Sequence, residues 1–220
     1  MMSAEGNQPR SSALEQGQPP RLHKSDGSGI GRRLGQAQPN PWAVLRSDLD
    51  GRLTDLTDTN PTNHGLTDPR VAEILAKAAH QSAYDPHPRG NPAAREALAE
   101  RLGGTPEQYW LTASTSEAYG WLFQLLTAPG ESVALPQPGY PLIQPLAKLQ
   151  GLDTCAYWWH YLETDGWVLD EQTLHQAAGQ AQVLVVVNPG NPTGAYANVE
   201  TIQAAAAKAN MPLIADEVFR

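Results

Sequence analysis

The chain has little cysteine, little basic charge and no long apolar run. Cys155 is the single cysteine in 220 residues, so no disulfide can form within the chain, and a reducing cytoplasm is the expected compartment. Lys and Arg together number 15 against 23 Asp and Glu, and a net charge of −8 argues against a nucleic-acid partner. No apolar stretch could cross a bilayer, and the N-terminus lacks the apolar segment of a signal peptide. We therefore expect neither a membrane partner nor a nucleic-acid partner.

The first forty residues differ in composition from the rest. Residues 1–40 are rich in Gln, Gly, Ser, Pro and Arg and contain few large apolar side chains. Such a segment cannot bury enough surface to offset the entropy lost on ordering, so we predict a disordered N-terminal extension. Residues 41–220 carry the apolar patterns of a folded domain.

Helical and strand patterns alternate along residues 41–220. Helices are predicted to begin at Asp68-Pro69, Asn91-Pro92 (ending at Gly103-Gly104), Ser114 and Asp170 (ending near Ala178), with two more over Leu142–Leu149 and Val199–Ala209. Strands are predicted over Gln108–Ala113, Glu131–Leu135, Thr154–Trp158, Val183–Val187 and Met211–Ala215. This alternation predicts an α/β fold with a mainly parallel sheet and helices on both faces.

The most informative motif is Asn188-Pro-Gly-Asn-Pro-Thr-Gly194, which follows the apolar run Val183–Val187. Its turn residues predict a tight loop at the carboxyl end of a buried strand, where open α/β sheets bind ligands. Asp216 stands in the same way at the end of Met211–Ala215. A carboxylate at the end of a buried strand needs a cationic or hydrogen-bonding partner.

The motif Asn-Pro-x-Asn-Pro-Thr-Gly, followed by a helix and by Ala215-Asp-Glu-Val218, resembles the pyridoxal-phosphate-dependent aminotransferases of fold type I, the class I/II group. The resemblance implies the large, cofactor-binding domain of that fold. It also implies pyridoxal 5′-phosphate as cofactor and transfer of an amino group between an amino acid and a 2-oxo acid. A homodimer is implied for the full-length form. The alternative is a turn-rich loop and a helix-capping Asp in an unrelated α/β protein.

The segment before the third predicted helix is the candidate phosphate site. Ser114 is a predicted N-cap, with Glu117 at capping-box spacing. The helix N-terminus offers free amides and a partial positive charge to a phosphate, and Ser114, Thr115 and Ser116 add hydroxyls. A well-capped helix without a ligand is the alternative for this segment taken alone. In the resembling family this position holds a phosphate-binding turn.

Two tyrosines match aromatic positions of the family. Tyr140, in Pro138-Gly-Tyr-Pro141, stands where family members stack a ring on the cofactor's pyridine. Tyr84, in Tyr84-Asp-Pro-His-Pro-Arg-Gly90, stands where many members reach the phosphate bound by the other subunit. That segment precedes a helix with a buried arginine, here Arg95. Without the other motifs, Tyr140 would be predicted to be a turn residue packed on the core.

Asp216 and Asn191 match the residues that adjust the cofactor's chemistry in the family. The resemblance makes Asp216 the catalytic partner of the pyridinium nitrogen, because a nearby anion favours the protonated ring. It makes Asn191 a donor to the cofactor's 3′-oxygen. Phe219 stands where a tyrosine often adds a second donor, which this chain lacks.

The Schiff-base lysine of the family has no counterpart in this sequence. The four lysines are Lys24, Lys77, Lys148 and Lys208, and none lies in the family's lysine motif. We therefore expect a fragment of the fold that is truncated before that lysine and inactive on its own. A decarboxylase or β-lyase of the same fold and an inactive, non-enzymatic remnant are the alternatives. An effector domain of a transcription regulator is a third, but the first forty residues lack a helix-turn-helix pattern.

Overall fold

The computed structural model describes residues 41–49, 58, 60–79 and 84–220, so the predicted disordered extension lies outside the described residues. The α-helices are α1 (Pro41–Asp48), α2 (Arg70–Ala79), α3 (Pro92–Leu102), α4 (Thr115–Leu126), α5 (Ile143–Leu149), α6 (Glu171–Ala178) and α7 (Val199–Lys208). The strands are β1 (Ser132–Gln137), β2 (Asp153–Leu162), β3 (Gly166–Leu169), β4 (Val183–Val187) and β5 (Leu213–Asp216). Short 3₁₀ helices cover Pro61–His64 and Pro106–Gln108.

The five strands form one sheet in the order β3-β2-β1-β4-β5. The pairs β2–β1, β1–β4 and β4–β5 are parallel, and β3 pairs antiparallel with β2 at the sheet edge. Val187 is paired with Asp216, so β4 and β5 end side by side. The carboxyl ends of these two strands therefore deliver the Asn188–Gly194 loop and Asp216 to the same edge of the sheet.

Each face of the sheet has its own apolar core, and β4 divides its side chains between them. Val183, Val185 and Val187 lie in the core shared with α4 and α5. Leu184 and Val186 lie in the core shared with α6 and α7. All five side chains of β4 are buried, as expected for a strand covered on both faces. The predicted α/β fold with a mainly parallel sheet and helices on both faces is confirmed.

Most predicted elements are present, with ends shifted by one or two residues. Asn91 and Gly103 bound α3 as predicted, and Asp170 caps α6. The predicted strand Gln108–Ala113 is wrong. Gln108 ends a 3₁₀ helix, with its side-chain oxygen accepting a hydrogen bond from the Thr105 amide at 2.8 Å.

A second difference concerns β2, which continues beyond Trp158 to Leu162. It then turns into β3, a strand that the sequence patterns did not predict. Gly166 begins β3 with φ +71°, a conformation that favours glycine, and pairs with Leu162 across the hairpin. This antiparallel hairpin forms the sheet edge opposite β5 and makes the sheet mixed.

Candidate functional site

The N-terminus of α4 presents unsatisfied backbone donors. The Ser114 hydroxyl oxygen accepts a hydrogen bond from the Glu117 amide at 3.2 Å, which confirms Ser114 as the N-cap. The predicted capping box is incomplete, because the Glu117 carboxylate accepts from the Ala113 amide rather than from that of Ser114. The amides of Thr115 and Ser116 have no acceptor within the described part of the chain. These two amides and the hydroxyls beside them can therefore bind an anion.

The two asparagines of the loop after β4 have different surroundings. Asn188 is buried, and its side-chain oxygen accepts a hydrogen bond from the Ala197 amide at 2.9 Å. Its amide nitrogen donates to the Ala197 carbonyl at 3.4 Å. The Asn191 side chain is half-buried and has no hydrogen-bond partner among the described residues. Asn188 therefore holds the loop closed, while the Asn191 amide remains available to a ligand.

Asp216 ends β5 with both carboxylate oxygens bound by donors. The Val218 amide donates to Oδ1 at 3.1 Å, and the Tyr119 hydroxyl donates to Oδ2 at 2.9 Å. Tyr119 is buried on α4, and its ring lies 5.6 Å from that of Phe123. Burial, and after it the neighbouring Asp216 carboxylate, raises the pKa of Tyr119 well above its ordinary value. The phenol therefore remains a protonated donor toward the Asp216 carboxylate.

One cavity of about 350 Å³ joins these groups. It lies between the N-terminus of α4, the start of α5 and the ends of β4 and β5. Its polar or aromatic lining residues are Ser114, Thr115, Ser116, Tyr119, Tyr140, Asn191, Asp216 and Phe219. Its apolar lining residues are Leu142, Ile143, Leu146, Val187 and Val218. Six of the seven residues singled out from the sequence thus meet at one cavity of a size that binds small organic ligands.

Charge is distributed unevenly around the cavity. Asp216 is the one carboxylate of its lining, and the lining contains neither lysine nor arginine among the described residues. The partial positive charge of the α4 N-terminus is the nearest favourable field for an anion. The cavity therefore suits a ligand that is anionic at one end and cationic or hydrogen-bond donating at the other.

Tyr84 does not line this cavity. Its side chain is 92% exposed, in the irregular segment before α3. That segment is fixed at its far end by Arg95, whose guanidinium donates to the carbonyls of Gly90 at 3.2 Å and Pro106 at 2.9 Å. Arg95 is buried as the resemblance implied, and the predicted contact of Tyr84 with another subunit's phosphate stays a prediction.

Sequence reasoning missed Tyr119, which lies five residues after Ser114. In a helix, a tyrosine at this position is typical of core packing, and nothing local distinguishes a packed ring from one whose hydroxyl reaches a carboxylate. The contact spans 97 positions of sequence. The available signal was the need of Asp216, at the end of a buried strand, for a cationic or hydrogen-bonding partner.

The architecture is that of the fold type I pyridoxal-phosphate-dependent aminotransferases. A double mutant of the aspartate aminotransferase of Thermus thermophilus matches with a TM-score of 0.68 and 27% identity, over 86% of this chain and 53% of that chain. The family model for aminotransferase class I and II matches residues 54–220. The chain belongs to this family.

Curated relatives carry several different names. Human tyrosine aminotransferase is 27% identical over 84% of this chain and 41% of its own length. A Saccharomyces cerevisiae protein named inactive alanine aminotransferase is 34% identical over 61% of this chain and 30% of its own length. The chain spans less than half the length of either relative.

Two further properties concern the described residues alone. Helices there are too short or too polar to span a bilayer. No grouping of three or more His, Cys, Asp or Glu side chains in that part of the chain is suited to a metal ion.

Proposed function

We propose that this chain contributes the cofactor-binding half of a pyridoxal-phosphate-dependent aminotransferase, which transfers an amino group between an amino acid and a 2-oxo acid. One observation carries the proposal. The free amides of α4, the Tyr140 ring, the free Asn191 amide and the Asp216 carboxylate line a single cavity. Family membership supports the same cofactor.

The donor chemistry of the cavity fits this cofactor. The amides and hydroxyls of Thr115 and Ser116 would hold the phosphate, and Asp216 would accept a hydrogen bond from the protonated ring nitrogen. Tyr140 is 41% exposed at the cavity, where its ring would cover the pyridine, and Asn191 would donate to the 3′-oxygen. When bound, the cofactor supplies an electron sink for the substrate's Cα carbanion. The chain's own part is to orient the ring and to keep its nitrogen protonated.

We further propose that the chain by itself holds the cofactor without a covalent bond and does not complete transamination. Lys77 is paired with Glu73 on α2. Lys148 and Lys208 lie near the ends of α5 and α7. None of these described lysines lines the cavity. A non-catalytic binder of the cofactor is the second candidate. The same lysine positions favour it, as does a relative whose name calls it inactive.

Fluorescence titration of the 220-residue chain with pyridoxamine 5′-phosphate tests the proposed site. This form of the cofactor has no aldehyde, so it cannot react with surface lysines. We expect saturable binding, and Asp216→Ala should weaken it roughly tenfold or more, since hydrogen bonds to charged groups contribute about 1.5–3 kcal/mol. Asp165→Ala, which removes an exposed carboxylate from the β2–β3 turn, is the control and should leave the affinity unchanged. Absence of binding by the unaltered chain, or equal affinity of the Asp216 variant, would contradict the proposal.

A further inference from the structure

The Asp216 carboxylate is held by donors of two kinds. The Val218 amide lies two residues further along the chain and donates to Oδ1 in a local turn. This contact alone would leave the carboxylate free to rotate about Oδ1. The Tyr119 hydroxyl donates to Oδ2 from α4, the helix that packs against the sheet beside β5. Two anchors on different oxygens fix the plane of a carboxylate, whereas one does not.

Tyr119 is itself a rigid anchor. Its side chain is 4% exposed and belongs to the apolar core that α4 shares with β4, alongside Phe123 and Val187. A second, smaller cavity is lined by Thr115, Tyr119, Asp216 and Val218, among other residues. The Tyr119–Asp216 pair therefore stands between two open spaces, and no other described side chain bonds to the carboxylate. Without the hydroxyl, Asp216 could turn away from the proposed cofactor.

We propose that Tyr119 is a positioning residue for the cofactor's ring nitrogen and acts through Asp216. Its hydroxyl fixes Oδ2, so that the remaining lone pairs of the carboxylate face the larger cavity. This inference rests on the proposed function, because it assigns a role to Tyr119 only if Asp216 meets a protonated ring nitrogen there. It predicts that the Tyr119 hydroxyl contributes to recognition of that nitrogen and of no other part of the ligand.

Two ligands separate this role from a general contribution to folding. Pyridoxamine 5′-phosphate carries the ring nitrogen, and its deaza counterpart has a carbon in place of that nitrogen. We expect Tyr119→Phe to weaken pyridoxamine phosphate roughly three- to tenfold, the range of one hydrogen bond, and to leave the deaza affinity unchanged. Asp216→Asn should reduce the preference for the nitrogen-containing ligand further. Adding Tyr119→Phe to Asp216→Asn should then have no additional effect on that preference.

Tyr157→Phe is the matched control. Tyr157 is also a buried tyrosine, and its hydroxyl donates at 2.9 Å to the Val185 carbonyl, in the core on the other face of the sheet. Its substitution should lower the melting temperature without changing the ratio of the two affinities. Circular dichroism and thermal melting of each variant establish that the titrated proteins are folded.

The outcomes distinguish failure of the proposed cofactor site from failure of the role assigned to Tyr119. If the unaltered chain binds neither ligand, the proposed function and this inference fail together. If it prefers pyridoxamine phosphate over the deaza ligand and Tyr119→Phe keeps the same preference, the proposed function stands and the inference is overturned. Equal weakening of both ligands by Tyr119→Phe would likewise overturn it, because that result describes a structural role.

Discussion

The two asparagines of the loop after β4, Asn188 and Asn191, have different roles. Asn188 is 7% exposed and closes the loop after β4 through both polar atoms of its side chain. Asn191 is half-buried at the cavity without a protein partner among the described residues. The motif predicts a ligand-binding loop at the strand end, and burial shows which asparagine supports the loop.

Substitution by alanine separates the two roles. Asn188→Ala leaves the Ala197 amide without its buried acceptor, so the free energy of unfolding should fall by about 1–3 kcal/mol. Asn191→Ala removes no hydrogen bond of the described structure and should change stability by less than about 0.5 kcal/mol. The same variant should weaken binding of pyridoxamine phosphate. Urea denaturation and titration of both variants measure these effects, and the reverse pattern would contradict the assignment.

Much of the site could be predicted from single residues, and the remainder could not for a physical reason. Ser114, Thr115 and Ser116 begin a helix, Tyr140 and Asn191 lie in loops, and Asp216 ends a strand. Capping and turn residues make such positions visible in the sequence. Tyr119 lies inside a helix and makes its contact 97 residues away. Such a contact follows from packing rather than from a local pattern.

At the scale of elements, caps and buried strands were predictable and edge structure was not. The all-apolar run of β4 and the caps at Asn91, Ser114 and Asp170 appear where the sequence predicts them. In the predicted strand Gln108–Ala113, Trp110 is 56% exposed, and the Leu111 amide donates to the Arg89 carbonyl in a loop. Among the described residues, this segment has no neighbouring strand to pair with.

The cap of α6 should make stability depend on pH. The Thr173 amide donates to Asp170 at 3.1 Å, and this hydrogen bond, followed by that with His160, lowers the pKa of Asp170 below its ordinary 3.8. A lowered folded-state pKa stabilises the fold above the ordinary value, and the contribution is lost as pH falls through the lowered value.

Asp170→Asn tests this cap, because it retains the capping oxygen and cannot titrate. The difference in unfolding free energy between the unaltered chain and Asp170→Asn should be constant near neutral pH and should shrink below about pH 4. Chemical denaturation from pH 2.5 to 7 measures it. A difference that does not change across this range would show that the carboxylate adds nothing to the cap.

Across the whole molecule, parts of the described surface expose large apolar side chains. The large apolar side chains exposed on and just before α2 are Leu66, Val71, Ile74 and Leu75, at 50–74%. β5 forms one edge of the sheet, with its outer backbone groups unpaired in the described structure. Exposed apolar clusters and open strand edges promote association. We propose that residues 41–220 are part of a cofactor-binding domain that buries these surfaces in the assembled protein, and that the assembled form is a homodimer.

We expect the isolated chain to self-associate. Size-exclusion chromatography with light scattering should give a mass above that of a 23.7 kDa monomer, or a broad distribution. Ile74→Lys should shift the distribution toward monomer, because it places a charge in the exposed apolar cluster. Gln172→Lys introduces the same charge at an exposed polar position of α6 and should not shift it. A monodisperse monomer with a sharp, reversible thermal transition would contradict this expectation.

A crystal structure of the chain with pyridoxamine 5′-phosphate tests directly whether this cavity binds the cofactor. We predict the phosphate at the amides of Thr115 and Ser116, the ring against Tyr140 and the ring nitrogen within hydrogen-bonding distance of Asp216. A ligand bound elsewhere, or one with its phosphate at Asp216, would contradict the assignment of this cavity.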